Sequence, residues 1–145
     1  MDSLATFSLV SVLIIFISSV STDQRNITVK AGQDITLPCK APDSKPVTSV
    51  KWTRTDLGSD YVFLYRDDQI SLENQHPSYK NRVDLKETQM KDGDVSLVLK
   101  NVTTDDRGTY ECRVFQKETS TSKETILIIN PDVLPPPDSV RAWPE

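Results

Sequence analysis

Along most of this chain the apolar residues recur at every second position, the period of a half-buried β-strand rather than of a helix. Ile35, Leu37 and Cys39 share one face, as do Val50 with Trp52, Val83 with Leu85, and Val95 with Leu97 and Leu99. Residues 25–30, 61–66, 109–115 and 125–129 are expected to form further strands, and Val102 continues the apolar set. Polar segments separate these runs at residues 31–34, 41–46, 55–60, 67–69 and 91–94, all but 67–69 carrying Gly or Pro. Pro38 stands at an outward position between Leu37 and Cys39, where it has no N–H for a ladder, so that strand should pair weakly there. Residues 70–80 have no clear period and read as holding one short edge strand. The sum is an all-β chain of roughly eight or nine strands.

Three side chains tie these strands together. Cys39, Trp52 and Cys112 have the order and spacing of the Cys…Trp…Cys signature, and the stretch from Asp106 to Cys112 reads D-x-G-x-Y-x-C. The pattern resembles an immunoglobulin-like β-sandwich, in which two sheets pack face to face and one disulfide spans them. Trp52 would pack on the Cys39–Cys112 bridge, and Tyr110 would be a core ring whose hydroxyl reaches back to the preceding turn. The interval between the cysteines leaves room for the extra central strands of the variable, V-set type.

Composition narrows the setting. The chain has 145 residues, enough for one domain of ordinary size, and a net charge of -4. It has neither the basic stripe of a nucleic-acid surface nor a polybasic lipid patch. Its two cysteines allow one internal bridge, which persists in an oxidising compartment. Residues 4–20 are largely apolar and end in small residues, which reads as a secretory signal over residues 1–21 with cleavage near Ser21 or Thr22. No Lys or Arg precedes this run, and the alternative is an uncleaved anchor, for which the run is short. The chain is thus expected to enter the secretory pathway, either to stand on the extracellular face of the plasma membrane or to be secreted. The V-set domain is placed at residues 22–130, with a linker or stalk at 131–145 containing Pro135, Pro136 and Pro137.

Several segments narrow the resemblance within the V-set domains. They are Ile35-Thr36-Leu37-Pro38-Cys39, Val62-Phe63-Leu64-Tyr65-Arg66-Asp67, Tyr79-Lys80-Asn81-Arg82-Val83, and the run from Val95 to Val102 that leads into Asp106–Cys112. Over residues 25–129 the chain is similar to the butyrophilin, B7-like and myelin oligodendrocyte glycoprotein group. That resemblance implies a salt bridge between Arg82 and Asp106 across the bottom of the sandwich. It also implies a partner-binding sheet face around Lys51, Tyr61, Phe63, Tyr65, Arg66 and Arg113, with Arg54 a further source of charge. Since Tyr61, Phe63 and Tyr65 alternate with Val62 and Leu64, one of the two sets is expected to face outward. The implied function is recognition of a cell-surface protein counter-receptor, on lymphocytes, in immune co-signalling. The alternatives are a homophilic adhesion or virus-receptor-like module and a soluble decoy or opsonic protein. The chain departs from antigen-receptor variable domains in lacking a Phe-Gly-x-Gly bulge, with Thr121-Ser122-Lys123-Glu124 in that place, which argues against antibody-like heterodimers.

No catalytic constellation is expected, and no cofactor, metal or small-molecule substrate. His76 is the sole histidine, and with both cysteines in a bridge a His/Cys metal cluster cannot form. Asp67 and Asp68 read as a solvated turn rather than paired catalytic acids, and four glycines provide no phosphate loop. Two sequons, Asn26-Ile27-Thr28 and Asn101-Val102-Thr103, mark Asn26 and Asn101 as glycosylation acceptors. The Ser/Thr-rich loop 116–122 is a second candidate contact surface beside the sheet face.

Overall fold

The computed structural model describes residues 23–42, 44–117 and 122–136. The expected signal segment, most of loop 116–122 and the end of the Pro-rich segment lie outside the described residues. Among those described, nine strands form two sheets, the arrangement that alternating apolar positions on short strands require when each sheet must bury one face. The larger sheet contains β1 (Asp23–Lys30), β9 (Ser122–Leu134), β8 (Tyr110–Lys117), β3 (Val47–Arg54), β4 (Phe63–Arg66) and β5 (Gln69–Ser71), in that spatial order. The smaller contains β2 (Ile35–Leu37), β7 (Leu97–Leu99) and β6 (Val83–Leu85). All neighbours are antiparallel except β1 and β9, which run parallel from Asp23 opposite Leu127 to Lys30 opposite Leu134.

The core lies between the sheets. Leu37, Val50, Trp52, Val95, Leu97, Val102, Tyr110, Cys112 and Val114 are fully buried there. Cys39 and Cys112 are joined by a disulfide that spans the two sheets. Trp52 lies opposite Cys112 in the ladder, and its Nε1–H donates to the Val95 carbonyl at 3.2 Å, so the buried indole keeps no unsatisfied donor.

Two local features follow from proline and from turn chemistry. The β2 ladder stops at Leu37, one residue before Pro38, and resumes only as an isolated bridge from Lys40 to Asp94. The β4–β5 hairpin turns on Asp67 and Asp68 with φ of 55° and 61°, the left-handed pair that a two-residue turn needs and that Asp tolerates.

The last strand departs from the expected boundary at residue 130. It continues to Leu134 because Ile129, Pro131 and Val133 keep the period of two and are all buried. Pro131 lies beyond the last β8 partner, Tyr110 opposite Ile129, where one flank of the strand has no ladder to serve. Residues 131–134 are therefore part of the sandwich rather than of a linker.

Candidate functional site

The ladder register decides what the large sheet presents to solvent. Trp52 pairs with Cys112 and with Phe63, and all three face the core. The residues between them lie on the outer side: Lys51 on β3, the buried Leu64 and exposed Arg66 on β4, Glu111, Arg113 and Phe115 on β8, and Glu124, Ile126 and Ile128 on β9. Lys51 lies opposite both Leu64 and Arg113, and Arg113 opposite Ile126. This outer face joins an apolar set (Phe115, Ile126 and Ile128, all half-buried) to a cluster of charges, the composition of a protein-contact surface. A shallow groove of about 580 Å³ crosses it, lined by Lys51, Thr53, Glu111, Arg113, Phe115 and Glu124.

The expected aromatic contribution to this face is corrected by the structure. Tyr61 and Phe63 are 5% and 2% exposed, and Val62 and Leu64 are buried as well, so neither alternating set is open to solvent. Phe63 and Tyr65 lie on the inner side, opposite Trp52 and Val50, and Tyr65 packs half-buried against the core. Tyr61 is covered by a segment distant in sequence. Its N–H donates to the Asn74 carbonyl, its carbonyl accepts from His76 N–H, and Gln75 Nε2 donates to the Val62 carbonyl. Alternation exposes one flank of a strand only where nothing covers it, and here residues 72–76 fold back and close it.

Charge on the face is prearranged. Arg113 donates through Nη1 to Glu124 Oε1 at 2.9 Å and through Nη2 to Glu111 Oε2 at 3.2 Å. Burial pulls the pKa of its guanidinium down, but the bonds to Glu124 and Glu111 outweigh that and raise it above the ordinary value. Arg66 is exposed and lies 3.9 Å from Asp67, a loose surface pair. Lys51 has no ion pair among the described residues and is the uncommitted cation of the face. Arg54 lines the end of the same groove, but its guanidinium is already committed: Nε donates to Asp56 at 2.6 Å, and Nη1 donates to the Tyr79 hydroxyl and the Asp105 carbonyl.

At the lower end of the sandwich the remaining motif residues form one network. Arg82 grips Asp106 through Nη2–Oδ2 at 2.7 Å and Nη1–Oδ1 at 3.3 Å, a fork-to-carboxylate pair whose acid is buried. That bond raises the Arg82 pKa. Asp106 Oδ2 also accepts from Thr103 N–H and closes a capping box on the 3-10 turn Thr104–Asp106. Tyr110 donates its hydroxyl to the Asp106 carbonyl at 2.7 Å. Tyr79, to which the sequence motifs give no separate role, is fully buried with its hydroxyl 2.8 Å from that of Tyr110 and its ring flanked by the Arg54 and Arg82 guanidinium groups. Its position three residues before Arg82 was the available signal. Burial pushes the pKa of both tyrosines up. Gly108, at φ +153°, lets Arg54 pass, since a Cβ there would lie 3.0 Å from Arg54 Cδ.

The other candidate positions are quickly placed. His76 accepts from Ser78 N–H and caps the 3-10 turn Pro77–Tyr79. No group of three or more potential metal ligands occurs among the described residues. Asn26 is exposed on β1 and Asn101 is exposed in the turn after β7. Among the described residues no helix is long and apolar enough to cross a membrane.

Comparison with known proteins agrees with this geometry. The family model described as the immunoglobulin V-set domain matches residues 22–129. The CD276 antigen homolog of Xenopus laevis is 31% identical over 107 residues, covering 71% of this chain and 34% of that protein. A chain in the crystal structure of ICOS in complex with ICOS-L and an anti ICOS-L VNAR domain superposes with a TM-score of 0.66 at 25% identity, over 78% of this chain and 56% of that one. Bovine butyrophilin superposes with a TM-score of 0.58 at 28% identity, over 75% and 51% of the two chains. The chain spans about a quarter to a third of the length of the curated relatives it matches.

Proposed function

Because this chain belongs to the immunoglobulin V-set family, we propose that it is an extracellular recognition domain that binds a protein counter-receptor on lymphocytes and acts in immune co-signalling. Its relatives are extracellular or cell-surface proteins of the B7 and butyrophilin kind, and the family is one of non-enzymatic receptors. The observation that carries the reading is the outer face of the large sheet. There Lys51 and the Glu111–Arg113–Glu124 triad sit among Phe115, Ile126 and Ile128 on a rigid paired ladder. An apolar patch supplies the drive for association, and a fixed set of charges selects among partners.

The test is staining of lymphocytes, myeloid cells and cells displaying this same chain with a tetrameric form of the domain, since multivalency raises a weak single contact to a measurable avidity. The expected result is selective lymphocyte staining, lost in K51E and F115D variants that melt like the parent. Staining confined to cells displaying the chain itself would replace this reading with homophilic adhesion. Lymphocyte staining untouched by both substitutions would move the contact off this face.

A further inference from the structure

The two sequon asparagines present the same chemistry in the folded domain. Asn26 is exposed on the edge strand β1, and its Oδ1 accepts from Asn130 Nδ2 at 3.3 Å. The amide oxygen is thus held against β9, while Nδ2, the atom that a glycan would take, has no partner among the described residues. Asn101 is exposed at φ 49° on an anchored backbone: its N–H donates to Asp34 Oδ1 at 2.9 Å and its carbonyl accepts from Arg82 Nη2 at 3.2 Å. Its side-chain amide likewise has no partner among the described residues. Each site therefore combines a fixed backbone with an amide nitrogen left to solvent.

Their placement is as informative as their exposure. Asn26 pairs with Asn130, past the end of β8, and Asn101 sits beyond the end of β7 against the turn that carries Asp34. Both lie toward the end of the sandwich that holds the Arg82–Asp106 pair, away from Lys51 and Arg113. We propose that Asn26 and Asn101 carry N-linked glycans: the one on Asn101 screens the lower end of the sandwich, and the one on Asn26 stands at the β1 margin of the outer face, beside Ile128, and confines protein contact to the part of that face around Lys51 and Arg113.

The chemistry is glycosyl transfer from a lipid-pyrophosphate-linked oligosaccharide. The asparagine Nδ2 forms a bond to the anomeric carbon, the bond from that carbon to the pyrophosphate oxygen breaks, the amide loses one proton to a base, and the lipid pyrophosphate departs. In the folded domain Val102 is fully buried and the Thr103 hydroxyl accepts from Asp105 N–H, so transfer at Asn101 must precede closure of that turn. The Asn26 sequon lies on the edge strand β1, paired on one side with residues 130–132 of β9 and with Ile27 packed against the core, so transfer there likewise precedes docking of β1.

The inference rests on the reading of an extracellular chain. The experiment expresses the full sequence in mammalian cells, releases N-glycans enzymatically in heavy-oxygen water, and maps the labelled residues by mass spectrometry. Label at both Asn26 and Asn101 is expected, with one step of gel mobility lost in N26Q, one in N101Q and both in the double variant. An exported chain with either asparagine unmodified overturns the assignment at that position while leaving the recognition reading intact. A chain that never enters the secretory pathway overturns both. The N26Q/N101Q domain should stain cells as the parent does, and loss of staining in it, at unchanged melting temperature, would overturn the placement of the glycans clear of Lys51 and Arg113.

Discussion

Arg82 does the most work of any single side chain at the lower end, because it satisfies a buried carboxylate and three backbone carbonyls at once. Replacing Arg82 with Ala leaves Asp106 charged and nearly enclosed, and should cost about 3 kcal/mol in denaturant unfolding. The Tyr79–Tyr110 pair gives a second prediction with a definite sign. Burial raises both phenol pKa values, so the folded state holds protons that the unfolded chain releases above its ordinary tyrosine value of about 10. Stability from these groups is complete below that pH and is lost as pH rises toward the folded pKa values. Melting temperature should fall steeply above about pH 10, and the fall should be shallower in Y79F. Ultraviolet titration should show these two phenols ionising only as the domain unfolds.

At the scale of the strand, the alternation of buried and outward positions separates two kinds of substitution that look alike in sequence. Phe63 and Phe115 each follow a valine in the sequence, yet Phe63 is buried opposite Trp52 and Phe115 is half-buried on the outer face. Phe63→Ala should destabilise the domain by about 4 kcal/mol, measured by chemical denaturation. Lys51→Glu should change stability by no more than about 0.5 kcal/mol while abolishing cell staining. The parallel pairing of β1 with β9 makes a further claim. A chain ending at Asn130 loses the partners of residues 27–30 and the buried Val133, so its melting temperature should drop, whereas a chain ending at Pro136 should melt like the full domain.

For the molecule as a whole, the covalent link between the sheets closes a loop of 73 residues, and the chain-entropy model assigns it about 4 kcal/mol; reduction should lower the denaturation midpoint accordingly. Much of this architecture was legible in the sequence, because its carriers are local or strictly periodic. The Cys39, Trp52 and Cys112 spacing, the Asp106–Cys112 turn and the Arg82–Asp106 pairing expected from family resemblance all involve residue types that few other folds would place together. A period of two likewise states which residues share a face of a strand. It does not state which face is covered. That was decided by contacts far apart in the chain: residues 72–76 closing over Tyr61 and Val62, and β9 carrying its pairing with β1 out to Leu134 across a separation of 104 residues. The sequence by itself determined the two-sheet sandwich, its bridge and the alternating core positions such as Leu37, Trp52, Leu85, Leu97 and Leu99, since these follow from side-chain type and periodicity. Only the tertiary structure decided that Tyr61 and Phe63 lie inside, and that Lys51, Phe115, Ile126 and the Arg113 triad form the open face. The burial of a strand flank depends on which distant segment packs against it, and no local pattern encodes that partner.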